Sequence, residues 1–322
     1  NATATSTKAK VRGLGAKDLV VGKNTLSIRV IAEDGSEKIY NVNVTRKAGA
    51  TSLKNEIMKN SVITANPTLT TSSNNTSDAS GLYASTDTNT GKPTYYFRGN
   101  VTNNYVKFAG QTWRIVRINE DGTIRIVMQD GINNNTSYAF NYNYDNYTYM
   151  YYTNNSNAKT QLESWYQTNI GSKSDSAKNV ASGNYYCEQA KVKYADYYIS
   201  GNATMTTYNK YTPDFKCSSD GNGKGVVNAS VGLLTYDEVV YAGGYYVQSN
   251  NNYYLYNNTN FWTMSPSGFT NPYSCVWQGY RGGEIDLTHV NYVTLYLRPV
   301  IILTADTLVT GSGTSSDPFV VS

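Results

Sequence analysis

Thiol and imidazole chemistry in this chain of 322 residues is bounded by one histidine, His289, and three cysteines, Cys187, Cys217 and Cys275. A single imidazole excludes a multi-histidine metal centre and leaves any serine or cysteine nucleophile one candidate base. No partner nucleophile stands beside it in sequence, so a contact or structural role is expected of His289. The cysteines lack the close spacing of a zinc site. Cys187 and Cys217 flank one polar loop, and a disulfide between them would stabilise the fold by about 3–4 kcal/mol. Cys275 would then stand alone. Among oxygen ligands, Asp87-Thr88-Asn89-Thr90-Gly91 has the alternation that begins a calcium loop, but no bidentate glutamate follows at the required offset. No two carboxylates can be assigned to one cleft for glycoside hydrolysis. No catalytic residue, metal ligand or cofactor is therefore assigned, and the chain is not expected to be an enzyme. The residues best equipped for recognition lie between Phe269 and Tyr296. There Tyr273, Trp277, Tyr280, Arg281, Asp286, His289 and Tyr292 are expected to contact a ligand; Asn271 and Asn291 lie in the same stretch. Aromatic rings stack, and amides and carboxylates hydrogen-bond.

Composition agrees with binding. Apolar residues make up 39% and charged residues only 16%, so uncharged polar groups must cover much of the surface. Thirty-one tyrosines stand against 7 phenylalanines, which suits solvent-touching sheet faces and contact surfaces. The net charge of +4 comes from 27 basic and 23 acidic residues without a basic run, which argues against nucleic acid. No apolar stretch approaches the roughly 18 residues that span a membrane. The polar start at Asn1, without an initiator methionine or signal peptide, reads as a piece of a longer exported protein.

The elements that must position these residues fall into three expected segments: 1–47, 48–80 and 81–322. In the first, Leu26, Ile28 and Val30 alternate along one strand, and Tyr40, Val42 and Val44 along the next, around the Asp34-Gly35 turn. In the second, Thr51 to Lys59 reads as a short helix capped by Ser52, followed by a polar loop. In the third, strands are expected at 95–98, 105–108, 112–118 and 123–128, with Trp113, Ile115, Ile124 and Ile126 in the core. The tract 133–156, poor in aliphatics, is expected as a long surface excursion, with 138–152 forming a second wall of the site. Residues 158–166 read as a helix, and Thr235 with Glu238 as a capping box that makes this acid structural. Arg298 opens the closing strand and is expected to brace a loop carbonyl or carboxylate through its fork.

Several phrases carry resemblances. The run from Val21-Gly22-Lys23-Asn24 through Ala32-Glu33-Asp34-Gly35-Ser36 to Val44-Thr45-Arg46 resembles the second half of the bacterial cadherin-like, Ig-like β-sandwich. A full sandwich needs about 100 residues, so the rest is expected upstream or from another chain. Gly81-Leu82-Tyr83, Tyr96-Phe97-Arg98-Gly99-Asn100, Trp113-Arg114-Ile115-Val116-Arg117-Ile118 and Trp262-Thr263-Met264-Ser265-Pro266-Ser267 resemble a family of large exported proteins of Firmicutes and related gut bacteria. That resemblance covers most of 51–322 and implies no particular activity. The apolar strand at 261–264, the excursion and the closing Leu297-Arg298-Pro299-Val300 are similar to C-type-lectin-like domains of the formylglycine-generating-enzyme type. Those include variable proteins diversified by retroelements just ahead of a closing strand. The reactive cysteine pair of that enzyme and the Glu-Pro-Asn and Trp-Asn-Asp signatures of calcium-dependent lectins are absent.

The expected fold is therefore α+β, a C-type-lectin-like domain preceded by part of an all-β cadherin-like sandwich. The expected function is a non-catalytic, adhesin-like module on the surface of a Gram-positive gut bacterium, binding a host or environmental glycan or protein through Tyr/Asn-rich loops. Self-assembly with other copies in a surface layer or filament is the first alternative. A retroelement-diversified binding protein is the second.

Overall fold

The computed structural model describes residues 2–46, 49–67, 69, 78–153, 156–183, 186–188, 192–193, 206–207, 212–217, 225–246, 248–270 and 272–322. The chain divides into two compact units, Asn1–Ala50 and Thr51–Ser322.

The first unit is a three-stranded antiparallel sheet in the order Lys10–Arg12, Gly22–Ile31, Glu37–Arg46. The hairpin turns at Asp34-Gly35, where Gly35 has φ +83° and Asp34 accepts from the Ser36 amide and hydroxyl. Register places Leu26 opposite Val42 and Ile28 opposite Tyr40, so one side of the hairpin is apolar. On the other side Thr25 meets Asn43 and Ser27 meets Asn41 through side-chain hydrogen bonds. The apolar side is only partly covered: Tyr40 is 48% and Val42 44% exposed, where burial was expected. Three strands without a second layer cannot enclose their own apolar side.

The second unit is β-rich with short helices, an α+β organisation built on two large sheets, with two small strand pairs, Tyr186–Glu188 with Gly225–Val227 and Val192–Lys193 with Thr206–Thr207, beside them. The segment expected to be a linker belongs to it. Thr51–Ser52 pairs with Leu308–Val309, Leu53 and Ile57 are buried, and Val62–Ile63 runs beside Gly81–Ser85. The helix is shorter than expected, Leu53–Ile57, and the Ser52 side chain makes no capping bond.

The larger sheet centres on Gln111–Ile118. This strand pairs with Tyr105–Phe108, Thr94–Arg98 and Ile124–Met128, and the last pairs in turn with Val300–Leu303. Phe108 lies opposite Gln111 across Ala109-Gly110, both at positive φ, the two-residue turn whose twist matches paired strands. Trp113, Ile115, Ile124 and Ile126 are fully buried there. The helix Asn157–Tyr166 starts at Ser156, whose side chain accepts from the Lys159 amide, and buries Leu162 and Trp165. Trp165 meets Trp113 at a ring separation of 6.2 Å.

The second sheet, which positions the site, runs Ser137–Tyr138, Leu295–Tyr296, Phe261–Thr270, Tyr273–Gly279, Glu284–His289, Tyr245–Tyr246. Arg298 sits fully buried behind it. It donates from Nε to the Met128 carbonyl and from Nη1 to the Leu255 carbonyl, with its guanidinium 4.7 Å over the Phe261 ring. Burial pushes its pKa down to about 10. This is the expected bracing role, made with two carbonyls. The capping box at Thr235 and Glu238 opens the helix Tyr236–Ala242. Glu238 is buried and also pairs with Arg125 and Arg117. Cys187 and Cys217 form a disulfide, and Cys275 is free and buried. Among the described residues no helix is long and apolar enough to cross a membrane.

Candidate functional site: an aromatic ladder

The strands Tyr273–Gly279 and Glu284–His289 pair antiparallel without a bulge, with Cys275 opposite His289 and Trp277 opposite Leu287. Alternation then puts Tyr273, Cys275, Trp277, Leu287 and His289 on one face, and Ser274, Gln278, Asp286 and Thr288 on the other. At the open end of the first face the rings form a continuous run. Tyr273 stacks on His289 at 4.2 Å with planes 6° apart, and His289 meets Tyr292 at 5.3 Å. On the other side Tyr144 stacks on Tyr273 at 5.3 Å and 19°. Tyr292 is 50% and Tyr144 36% exposed, so the two ends of this four-ring ladder face solvent.

Tyr144 reaches the ladder because its loop is tied to the sheet. Ser274 donates from its amide to the Tyr144 carbonyl at 2.7 Å and from its hydroxyl to the Asn146 carbonyl. Asn146 in turn caps the turn Tyr147–Met150 by accepting from the Thr148 amide. The Asn141 amide donates to the Val290 carbonyl. The tract is thus tied to the sheet beside the rings, and it is not a free excursion over its whole length. Phe140, Met150, Tyr151 and Tyr152 are buried, and Phe140 packs on Trp262 at 5.6 Å. Aromatic anchors supply the burial that aliphatics usually provide. Tyr142, 63% exposed, stands in the loop between these anchors.

Of the seven expected contact residues, Tyr273, His289 and Tyr292 come together. Trp277 does not serve as a contact. It is fully buried, edge-on to Tyr246 at 5.5 Å and 4.7 Å from Tyr236, because it lies two alternations further into the sheet than Tyr273. Tyr280 and Arg281 sit at the far end of the same strand. At about 3.3 Å per residue that is roughly 20 Å from Tyr273. There Arg281 is exposed, its amide donating to Asn260 and its guanidinium 5.8 Å from the Tyr280 ring. Asp286 occupies the opposite face, directly across from Gln278. Partial burial raises its pKa and the Leu287 amide opposes that rise. The contact set thus separates into a ladder and a distant turn. Asn271 lies outside the described residues. In the segment weighed as a calcium loop, the Asn89 side-chain oxygen accepts from the Cys217 amide, and Thr90 donates to Glu120 from its amide at 2.8 Å. No group of three or more potential metal ligands occurs among the described residues.

Burial lowers the His289 pKa below 6.5, so the ring is neutral at physiological pH. A neutral imidazole stacks on Tyr273 and meets the Tyr292 ring, tilted by 50°, without a charge to hydrate. The residue that sequence alone undervalued is Tyr144, more than a hundred positions upstream of its ring partners. Its signal was the alternation of tyrosine with asparagine and aspartate in 140–147. Compared with protein-family models, curated proteins and solved structures, the chain matches none.

Proposed function

We propose that this chain is a non-catalytic binding module of the bacterial cell surface that grips a glycan on the ladder of Tyr144, Tyr273, His289 and Tyr292. The ladder itself is the observation that carries the proposal. Its exposed terminal rings offer apolar faces to the C–H side of a pyranose, and the neighbouring Asn143 and Asp145 offer hydrogen bonds to hydroxyls. On this reading the second unit is a C-type-lectin-like domain closed by the Arg298 strand, and the first is the second half of a cadherin-like sandwich acting as a stalk. The Cys187–Cys217 disulfide supports an oxidising, extracellular setting.

A glycan array probed with the native chain and with the variant Tyr144→Ala/Tyr292→Ala tests this. The native chain is expected to bind a defined glycan, with each substitution weakening it roughly tenfold, as loss of one stacking ring implies. Binding unaffected by both substitutions would remove the ladder from the function. The partly exposed apolar side of the first unit favours a second reading, self-assembly through copies of the chain.

A further inference from the structure

The chain's positive charge is concentrated in its first unit. Residues 1–50 hold 9 basic and 4 acidic side chains, a net +5, while the rest of the chain comes to −1. Register sorts this charge between the two sides of the three-stranded sheet. Val11 lies opposite Val30, Ile28 opposite Tyr40 and Leu26 opposite Val42 on the apolar side, which Lys38 and Arg46 share. The other side carries Lys10, Arg12, Lys23 and Arg29 against one acid, Glu37, and all five are exposed.

The arginines on this side are placed as an anion would need them. Arg12 stands directly opposite Arg29, with Cβ atoms about 5 Å apart, and like charges so placed destabilise a sheet unless something neutralises them. Glu37 answers only one of the two. It pairs with Arg29 at 3.3 Å, and Arg12 has no carboxylate partner among the described residues. Further along the same side, the Thr25 hydroxyl donates to Asn43 Oδ1 at 3.0 Å and the Ser27 hydroxyl to Asn41 Oδ1 at 2.8 Å. Both asparagines accept with their carbonyl oxygens, which leaves their side-chain N–H groups for a ligand. Lys23, six positions from Arg29 on the same strand, closes the far end about 20 Å away. The paired positions of this side include no aromatic ring.

We propose that this side binds a linear polyuronate, a polysaccharide charged by a carboxylate on each sugar, laid along the strands. One carboxylate sits between the Arg12 and Arg29 forks, whose planar geometry it matches. A second reaches Lys23, and the sugar hydroxyls between them meet the Thr25–Asn43 and Ser27–Asn41 rungs. Charge density selects this partner. A DNA duplex brings one charge per about 1.7 Å of axis, roughly twelve over the same length, against four cations and an acid. A single strand would need rings on which to stack its bases. A bilayer surface would need a band of apolar side chains, where this side exposes Ile39.

The test is biolayer interferometry of the full chain on immobilised alginate, a polyuronate, at low and at physiological salt. Dextran serves as the uncharged polymer and a short DNA duplex as the competing polyanion. Alginate is expected to bind, and to bind at least fivefold more weakly at the higher salt, because the contact rests on exposed charges. Arg12→Gln/Arg29→Gln is expected to weaken binding at least tenfold with an unchanged melting curve. Arg12→Gln alone, which breaks no ion pair, is expected to weaken it about threefold. Lys38→Gln/Arg46→Gln removes the same charge from the apolar side and is expected to change binding less than twofold. Tyr144→Ala/Tyr292→Ala is expected to leave it intact, which separates this site from the ladder. The proposal is overturned if alginate does not bind at low salt, or if dextran or the duplex binds as tightly. It is also overturned if removing charge from the apolar side, or rings from the ladder, costs as much as removing the two arginines.

Discussion

His289 is the residue on which the ladder can be read directly, because it is the chain's single histidine and gives one imidazole resonance to follow. Burial between Tyr273 and Tyr292 holds its pKa below 6.5. The sign follows from linkage: as pH falls, the unfolded chain takes up its proton first, near 6.5, and the folded ring only later. The contribution of a neutral His289 to stability is therefore complete above about pH 6.5 and declines below it. A proton NMR titration is expected to give a midpoint below 6.5, and Tyr292→Ala, which opens one side of the ring, is expected to move it upward. A midpoint at or above 6.5 in the native chain would mean that the stack does not desolvate the imidazole. Glu238 belongs to the same scale. It closes the capping box and neutralises Arg125, which is 1% exposed. Glu238→Gln keeps the shape but takes the carboxylate away from a buried guanidinium that keeps its bond to the Leu233 carbonyl, so urea denaturation is expected to show a loss of about 3 kcal/mol. A loss under 1 kcal/mol would place the counter-charge elsewhere.

At the scale of elements, the Cys187–Cys217 bridge joins residues 30 positions apart. Restricting a loop of that length in the unfolded chain stabilises by about 3–4 kcal/mol. Reduction is expected to lower the melting temperature of the second unit by roughly 6 °C or more, given about 2–4 °C per kcal/mol for a domain of this size. An unchanged melt would show that the loop is already restrained without the bridge. Elements were also where the sequence was most and least legible. The Asp34-Gly35 hairpin and the Thr235–Glu238 cap depend on neighbours within a few residues, and the alternation that marks Trp113, Ile115, Ile124 and Ile126 as inward runs along their own strands, so these features can be read along a chain. The site could not be read that way. Tyr273, Trp277, Tyr280, Asp286 and His289 are neighbours in sequence, but strand alternation turns Asp286 to the other face. Strand rise carries Tyr280 to the far end, and depth in the sheet buries Trp277. Which positions are strand, and which strand end is open, follow from pairing between strands that local sequence does not specify. Tyr144 shows the converse: a residue remote in sequence is brought in by two hydrogen bonds from Ser274.

For the molecule as a whole, the two units present different surfaces. The second encloses a large core and offers rings at its edge. The first is a sheet with a polar ladder on one side and Leu26, Ile28, Tyr40 and Val42 on the other, and its edge strand, Glu37–Arg46, is uncharged between Lys38 and Arg46. A long edge with few charges and a partly exposed apolar side is the combination that proteins ordinarily guard against. Two such sheets packed face to face would form a sandwich with a closed interior, the arrangement that aligned sheet packing favours. Sedimentation velocity of the 322-residue chain is therefore expected to show concentration-dependent association, which Ile28→Lys/Val42→Lys abolishes while glycan binding on the second unit persists. Lysine suits the test because it places a charge on the apolar side while a strand tolerates its long stem. A native chain that stays monomeric over the same range would dispose of the self-assembly reading and leave the ladder and the basic side of the first unit as the surfaces through which the protein meets its surroundings.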